Sequence, residues 1–331
     1  MKNKICVVYS HHKIGDLIWQ LPYIKSISEF HGSKITLITR ETTQAKDILQ
    51  DEPYIKDVYY NSFRKKLYYF IEIFLLYRFF KKNKFSHIYL LDKISRPAIA
   101  AKLSGIKNIL GLGINNQKKW LTNKFFLSPE DQVMNYSIQS KKFLEINGIK
   151  THILIPKLSI KSSTLKTIPP IIAKKSTMTI SASFGVDSFE DYKIWYEEYF
   201  SELSNKLIKK KIASFFYLIC GPNKKHIADK IIKISNHNNF FNCSGLNLLG
   251  VIKVIKNSSF FVGNNSGPLN LSSALGIKTF GLISGSSVSD LKFTNIIPIL
   301  PTNYVDKYLF DRKEMKKITV DMVLDKIQKN L

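Results

Sequence analysis

Short apolar runs alternate with amphipathic stretches along the first half of the chain. A run of apolar residues bounded by polar ones predicts a buried strand, and apolar residues at every third or fourth position predict a helix. Strands are predicted at residues 5–9, 35–39, 58–60, 87–91 and 108–112. Helices are predicted at residues 16–30, 63–82, 96–103 and 131–147. Such alternation is typical of an α/β domain, in which helices cover a parallel sheet.

A polar break separates this half from a second one with the same alternation. Residues 157–176 contain Pro169, Pro170 and several lysines, which is typical of a linker. We therefore predict one domain at residues 1–156 and another at 177–331. In the second domain, strands are predicted at 178–182, 214–220, 260–262 and 279–283. Helices are predicted at 193–210, 224–235 and 320–331, and a further helix begins near residue 268. Both halves are predicted to be doubly wound α/β domains.

A glycine-rich turn follows the predicted strand at 260–262. The helix after it begins near Pro268, a residue suited to a first helical turn, and Gly267 lets an anion approach the backbone. The N-terminus of a helix has unpaired N–H groups and partial positive charge, so this turn predicts a phosphate site. The alternative is a plain strand–turn–helix unit capped by an asparagine.

A second glycine turn follows the first predicted strand. Gly15 and Asp16 stand where the next helix begins, at the carboxyl end of that strand. Ligands of open α/β sheets bind outside the carboxyl ends of the strands, so Asp16 is a candidate functional carboxylate. The alternative is that Asp16 only caps the helix.

The charge of the chain predicts an anionic partner. Lys and Arg number 50 against 25 Asp and Glu, a net charge of +25. Compositional drift could supply part of the lysine excess, but it does not explain so few acids. The chain has no nucleic-acid-binding signature, so a membrane surface is favoured over nucleic acid. The aromatic stretch 68–80 is too short to span a bilayer; it could lie on a membrane surface or be a buried crossover helix.

Other motif classes are absent or weak. The chain has neither G-x-G-x-x-G nor a P-loop, so dinucleotide-binding and P-loop functions lack their main signal. It has no apparent secretory signal. Cys6, Cys220 and Cys243 are far apart and form no C-x-x-C motif, which predicts reduced core thiols of a cytosolic protein.

Several motifs, taken in order, resemble the lipopolysaccharide heptosyltransferases of glycosyltransferase family 9. They are Ile14-Gly15-Asp16-Leu17-Ile18 with Leu21-Pro22, Leu90-Leu91-Asp92, the stretch from Arg96 to Gly105, Ile109-Leu110-Gly111-Leu112, Lys193-Ile194-Trp195, Leu218 to Pro222, and Asn265-Ser266-Gly267-Pro268 with Leu275-Gly276. The last is fairly specific, and together the motifs extend over almost the whole chain.

The resemblance implies the GT-B fold, with two Rossmann-like domains facing across a cleft. It implies an inverting, metal-independent glycosyltransferase that moves heptose, or a related sugar, from an ADP-sugar to the anionic inner core of lipopolysaccharide. The N-terminal domain would bind the glycolipid acceptor and the C-terminal domain the nucleotide sugar. The protein would be cytoplasmic and peripheral at the inner face of the inner membrane, without cofactor or nucleic acid. The absence of a D-x-D motif agrees with metal independence.

The resemblance also implies site residues. Asp16 matches the family's base, and Lys193 would stabilise the leaving ADP. The alternative for Lys193 is a solvated surface lysine, and Trp195 is interpreted as a packing residue. The donor-binding candidates are Ser183, Lys193, Gly221, Asn265, Ser266, Gly267, Pro268 and Asn270. The acceptor-binding candidates are Gly15, Arg64, Lys65, Lys66, Lys118 and Lys119.

Two substitutions depart from the family pattern. Asn265 stands where the family has Asp, and Asn270 stands where it has His. The acid expected after Gly221 to hold a ribose is replaced by Asn223 and lysines. These departures keep open a different nucleotide sugar or a non-catalytic glycan- or membrane-binding relative. The presence of Asp16 and Lys193 argues against the latter.

Overall fold

The computed structural model describes residues 3–63, 68–152, 154–166, 180–284, 287–291, 295–307 and 310–331. The chain forms two compact units, Met1–Ile160 and Lys161–Leu331. The boundary between them lies inside the stretch 157–176, which the sequence predicts as a linker. None of the helices among these residues has the length and apolar character needed to cross a membrane.

Unit 1 contains a parallel sheet with helices before and after its strands. Its strands are β1 Ile5–Val8, β2 Ile35–Thr39, β3 Ile55–Tyr60, β4 His87–Leu90 and β5 Asn108–Gly111, in the order β3-β2-β1-β4-β5. Its helices are α1 Ile14–His31, α2 Ala45–Ile48, α3 Tyr69–Asn83, α4 Arg96–Leu103, α5 Pro129–Gln132 and α6 Tyr136–Ile146. Every residue of β1 and β2 is buried, as expected for parallel strands covered on both faces.

Unit 2 has the same architecture with one more strand. Its strands are β6 Ser181–Gly185, β7 Phe215–Ile219, β8 Phe240–Asn242, β9 Phe260–Asn264, β10 Lys278–Leu282 and β11 Ile296–Ile299, in the order β11-β10-β9-β6-β7-β8. Its helices are α7 Ser162–Lys166, α8 Glu197–Lys209, α9 Lys225–Ile234, α10 Leu248–Lys256, α11 Gly267–Ala274, α12 Lys313–Lys316 and α13 Val320–Asn330. All its strand pairs are parallel, so both predicted α/β sheets are confirmed.

Strand order reverses at one place in each sheet. The reversal lies between β1 and β4 in unit 1, and between β6 and β9 in unit 2. In doubly wound folds, ligands bind outside the carboxyl ends of the strands at such a reversal. In unit 2, Gly185 pairs with Gly263 at this end, and a Cβ built on Gly263 would lie 2.9 Å from the Gly185 backbone. The two strands therefore approach too closely there for a side chain on Gly263.

Several predicted elements differ from those observed. The single helix predicted at 131–147 is wrong, because Asn135 caps a new helix, α6, after Ser128 has capped α5. The predicted helix at 193–210 begins only at Glu197, so Lys193 lies in a 3-10 turn before α8. The short strands β8 and β11 and helix α10 were not predicted.

The three cysteines lie in or beside the sheets. Cys6 is on β1, and Cys220 and Cys243 directly follow β7 and β8; all three are buried free thiols, as predicted. Burial raises the pKa of each thiol, that of Cys220 to about 12. These thiols therefore remain protonated and unreactive in the folded chain.

Candidate active site

In unit 1, Asp16 lies in the first turn of α1, close to the carboxyl end of β1. Its side chain is 37% exposed. The N-cap position of α1 is occupied by Lys13, so Asp16 is not the N-cap residue. A partly exposed carboxylate at the strand-order reversal is therefore placed where a ligand of this fold is expected.

His11 is the aromatic neighbour of Asp16. Its ring stacks on Tyr9 with centroids 4.9 Å apart and meets the edge of Tyr136 at 4.1 Å. Its Nδ1 atom lies 3.9 Å from Oδ2 of Asp16. Burial, helped by the nearby charges of Lys93 and Arg40, lowers the pKa of His11 to about 4. At neutral pH the pair is therefore a carboxylate beside a neutral imidazole, and not an ion pair.

Two charged side chains hold the loop between β1 and α1. The backbone N–H of Ser10 donates to Oδ2 of Asp92 at 2.6 Å, and Nε of Arg40 donates to the Ser10 carbonyl at 2.5 Å. The other oxygen of Asp92 accepts from the N–H of Ile94 at 3.0 Å. Asp92 is buried after β4 and Arg40 follows β2, so the loop leading to Asp16 is fixed from both neighbouring strands.

Arg40 also belongs to a second cluster behind this loop. Arg40 and Arg96 both donate to the carbonyl of Phe63, at 3.2 and 3.3 Å. Phe63 is buried and has a left-handed backbone, with φ of 48°, which a bulky residue rarely adopts. Nη1 of Arg96 lies 3.1 Å from Oε2 of Glu72, and both side chains are buried. This cluster therefore fixes Phe63 at the same end of the sheet.

In unit 2, α11 begins at Gly267 and Pro268, directly after β9. Ser266 occupies the N-cap position, and its side chain makes no capping hydrogen bond. Its buried Oγ atom has no hydrogen-bond partner among the described residues. Uncapped N–H groups at the start of a helix can bind an anion, which agrees with the predicted phosphate site.

The loop that carries Lys193 is fastened to this turn on both sides of the lysine. Before it, Oγ of Ser188 donates to the Asn265 carbonyl at 3.3 Å. After it, the backbone N–H of Trp195 donates to Oδ1 of Asn264 at 2.9 Å. Lys193 itself is 14% exposed and pairs with Glu190 at 3.4 Å, so it is not a solvated surface lysine.

A carboxylate that the sequence analysis missed lies beside Gly221. Oδ2 of Asp187 accepts from the N–H of Gly221 at 2.6 Å. Burial raises the pKa of Asp187, whereas this hydrogen bond and the charge of Lys224 lower it. An acid that follows β6 therefore lies beside Gly221, although the sequence directly after Gly221 contains none.

Comparison with known proteins identifies the family of the chain. The model of glycosyltransferase family 9 (heptosyltransferase) matches residues 96–300. The chain belongs to this family. It is therefore a glycosyltransferase, and the resemblance stated from its motifs is confirmed. No curated protein sequence matches the chain.

Solved structures of the family share its two-unit fold. The chain is similar to Escherichia coli ADP-heptose lipopolysaccharide heptosyltransferase II, with 16% identity, a TM-score of 0.77 and 98% of each chain covered. It is similar to a family 9 glycosyltransferase of Veillonella parvula, with 14% identity, a TM-score of 0.81 and coverage of 99% and 98%. It is also similar to E. coli heptosyltransferase WaaC with ADP-2-deoxy-2-fluoro heptose, with 14% identity, a TM-score of 0.71 and coverage of 99% and 100%. The predicted GT-B fold is confirmed.

Not every predicted donor residue of this glycosyltransferase lies at the α11 turn. Ser183 is fully buried within β6, and its hydroxyl lies 2.6 Å from that of Ser258. Its position in the core leaves it out of the candidate site. Asn270 lies on α11, where its Nδ2 donates to the Ser266 carbonyl at 3.2 Å. Trp195 is a packing residue, as predicted, since it is fully buried and its Nε1 donates to the Ile318 carbonyl at 2.8 Å.

The acceptor candidates are only partly described. Arg64, Lys65 and Lys66 lie outside the described residues, and Gly15 is buried in α1. Lys118 and Lys119 are exposed in a 3-10 segment, Asn115–Trp120. That segment is joined to the loop after β4, because Nε2 of the buried Gln117 donates to the Asp92 and Ile94 carbonyls at 2.7 and 2.9 Å. The two lysines therefore lie at the same end of the sheet as Asp92.

Proposed function

We propose that this glycosyltransferase moves heptose, or a related sugar, from an ADP-sugar to the inner core of lipopolysaccharide. The transfer inverts the anomeric centre and requires no metal. The observation that carries the proposal is the double attachment of the Lys193 loop to the turn that opens α11. It places an ammonium group on a segment fixed to the turn before α11, whose first N–H groups are uncapped, and this suits a diphosphate leaving group.

Asp16 is proposed as the general base of the reaction. Its carboxylate takes the proton from the acceptor hydroxyl as that oxygen attacks the anomeric carbon of the donor sugar. The bond from that carbon to the outer phosphate oxygen of ADP breaks in the same displacement, so the configuration inverts. Because His11 is neutral at working pH, its imidazole adds no positive charge beside the Asp16 carboxylate.

The departing ADP gains negative charge on its outer phosphate. In this proposal, Lys193 and the N–H groups at Ser266 and Gly267 stabilise that charge without a metal. Gly221 and Asp187 lie at the neighbouring carboxyl end of β7 and β6, where a carboxylate can accept hydrogen bonds from ribose hydroxyls. Asn265, Pro268 and Asn270 complete the proposed donor site as predicted from the sequence.

The acceptor is proposed to be an anionic glycolipid at the cytoplasmic face of the inner membrane. The net charge of +25 suits a glycolipid rich in phosphate and carboxylate. Lys118 and Lys119, with Arg64, Lys65 and Lys66, are the proposed acceptor-binding cations.

A second candidate is transfer from another nucleotide sugar. It is favoured by Asn265 and Asn270, which lack the carboxylate and the imidazole of the family pattern. The α11 turn and Asp16 would serve the same reaction with a different donor sugar or a different nucleobase.

The test is a transfer assay with the purified full chain, an inner-core acceptor and separate donors. ADP release and acceptor mass are expected to show addition of one heptose from ADP-heptose. Transfer from a UDP-sugar or GDP-sugar but not from ADP-heptose would establish the second candidate. Donor binding without either transfer or hydrolysis would mean that the chain is a binding protein.

A further inference from the structure

Helix α3 has an outer face that the fold of unit 1 leaves uncovered. Its inner face is buried, with Ile73, Leu76 and Phe80 in the core. On the outside, Phe70 is 79% exposed, and Ile71, Phe74 and Leu75 are about half exposed. The sequence left open whether this aromatic stretch is buried or lies on a membrane surface. The structure shows a helix that is buried on one side and exposes large apolar side chains on the other.

The exposed face is divided along the helix axis. At 3.6 residues per turn, the outward residues from Phe70 to Lys82 share an arc of roughly 140°. The first two turns of this arc contain the four apolar side chains. The last turns contain the exposed Arg78, Lys81 and Lys82.

No negative charge is exposed on α3. Its only acid, Glu72, is buried against Arg96, which anchors the helix to α4 at the inner side. An apolar surface followed by basic side chains matches a membrane surface, where aromatic and aliphatic groups enter the acyl boundary and cations meet anionic headgroups. The long basic side chains can reach the headgroups while their stems stay on apolar surface.

The charge of the helix disfavours a second copy of this chain as the occupant. Two such faces would bring only positive charges to the contact, and each chain has a net charge of +25. Like charges without acidic partners oppose self-association. An anionic lipid surface supplies the negative charge that a second copy lacks.

We propose that the outer face of α3 docks unit 1 on an anionic lipid bilayer. The first two turns enter the headgroup boundary through Phe70, Ile71, Phe74 and Leu75, and Arg78, Lys81 and Lys82 bind lipid phosphates. This deepens the proposed function, on which it rests only for the membrane location of the acceptor.

The test is flotation of the full chain with vesicles of phosphatidylethanolamine and phosphatidylglycerol. We expect binding by the native chain and at least about tenfold weaker binding by the Phe70→Ser/Phe74→Ser variant, because two aromatic rings leave the boundary. The matched control is Phe125→Ser, which removes a ring that is 60% exposed outside α3. Equal binding by the native chain and the double variant, or an equal loss in the control, would overturn the proposal.

The basic half is tested separately. Lys81→Gln/Lys82→Gln should weaken binding by about fivefold per charge and reduce its salt dependence. The control pair is Lys209→Gln/Lys210→Gln, exposed at the end of α8. Replacement of phosphatidylglycerol by phosphatidylcholine should abolish the difference between native chain and variant. If the difference persists in phosphatidylcholine, anionic lipid is not the ligand.

Two further measurements separate this proposal from the transfer reaction. The α3 variants should keep the native unfolding temperature, ADP affinity and transfer to a delipidated acceptor. Vesicle binding that fails while transfer persists would overturn only the docking proposal. Gel filtration that shows a native dimer dissociated by Phe70→Ser/Phe74→Ser, without vesicle binding, would instead make this face a contact between copies.

Discussion

The Nδ1 atom of His11 lies 3.9 Å from Oδ2 of Asp16, and burial keeps the imidazole neutral with a pKa of about 4. An unfolded chain has the ordinary histidine pKa near 6.5, so it binds more protons than the folded chain between about pH 6.5 and 4. Stability should therefore fall as the pH falls through this window. His11→Asn should reduce that loss by about 2–3 kcal/mol at pH 4. Urea unfolding at pH 7 and pH 4 measures this loss in the free energy of unfolding. The control is His226→Asn, at an exposed site.

Asp16→Asn should reduce turnover by roughly 10²-fold or more, because the amide cannot accept the proton of the acceptor hydroxyl. The fold and ADP affinity should be unchanged, since the side chain is partly exposed and the substitution keeps its shape. Steady-state transfer and ADP titration measure the two effects. Glu29→Gln, an exposed acid at the other end of α1, is the control. Near-native turnover of the Asp16 variant would remove this carboxylate from the mechanism.

Asp92→Asn should loosen the loop that leads to Asp16. Both oxygens of Asp92 accept backbone N–H groups, from Ser10 and Ile94, and an amide can accept only one of them. We expect a loss of about 1–3 kcal/mol in stability. The catalytic constant should fall while the Michaelis constant changes little, because Asp16 is misplaced and the donor site is intact. Thermal unfolding with full kinetics checks both; an unchanged catalytic constant would limit Asp92 to folding.

Lys193→Ala should weaken ADP binding about tenfold and also slow transfer, because one ammonium serves both the bound diphosphate and the leaving group. Isothermal titration with ADP and single-turnover transfer separate the two effects. Lys209→Ala, on the exposed end of α8, should change neither. If Lys193→Ala has native affinity and native rate, the proposed donor site loses its central cation.

Lys118→Gln/Lys119→Gln should raise the apparent Michaelis constant for the glycolipid and leave ADP affinity unchanged. Each cation near an anionic surface contributes about 1 kcal/mol, and salt screens this contribution. The assay is acceptor kinetics at increasing ionic strength. The alternative, a solvated basic face produced by compositional drift, predicts native kinetics at every salt concentration.

Local patterns were sufficient to predict most of the sheet framework. β2 and α4 match their predicted bounds, since a β-branched run and a small-residue helix are decided by neighbours in sequence. β8 was missed because it contains only three residues, and β11 because it contains Pro298, a residue that is unusual in strands. The helix predicted through residues 131–147 is interrupted because the Asn135 side chain caps α6. Apolar periodicity gives no information about such a capping hydrogen bond.

The candidate site was predictable only where its residues are adjacent in the sequence. Asp16 and the turn at Ser266 and Gly267 carry local signals, and both lie at carboxyl ends of strands. The supporting carboxylates carry no local signal, because each accepts a hydrogen bond from a residue far away in the sequence. Asp92 is 82 positions from its partner, and Asp187 is 34 positions from its partner. Ser183 shows the opposite case: it is a donor-binding candidate from the sequence, and its burial inside β6 makes it a core residue.

Each unit contains at least one buried thiol whose alkylation can report when its sheet opens. Cys6 is on the central strand of unit 1, and Cys220 and Cys243 border two strands of unit 2. An alkylating reagent can modify them only after the surrounding sheet has opened. Peptide-resolved mass spectrometry of the native chain during slow alkylation will therefore time the opening of the two sheets independently, with no engineered label.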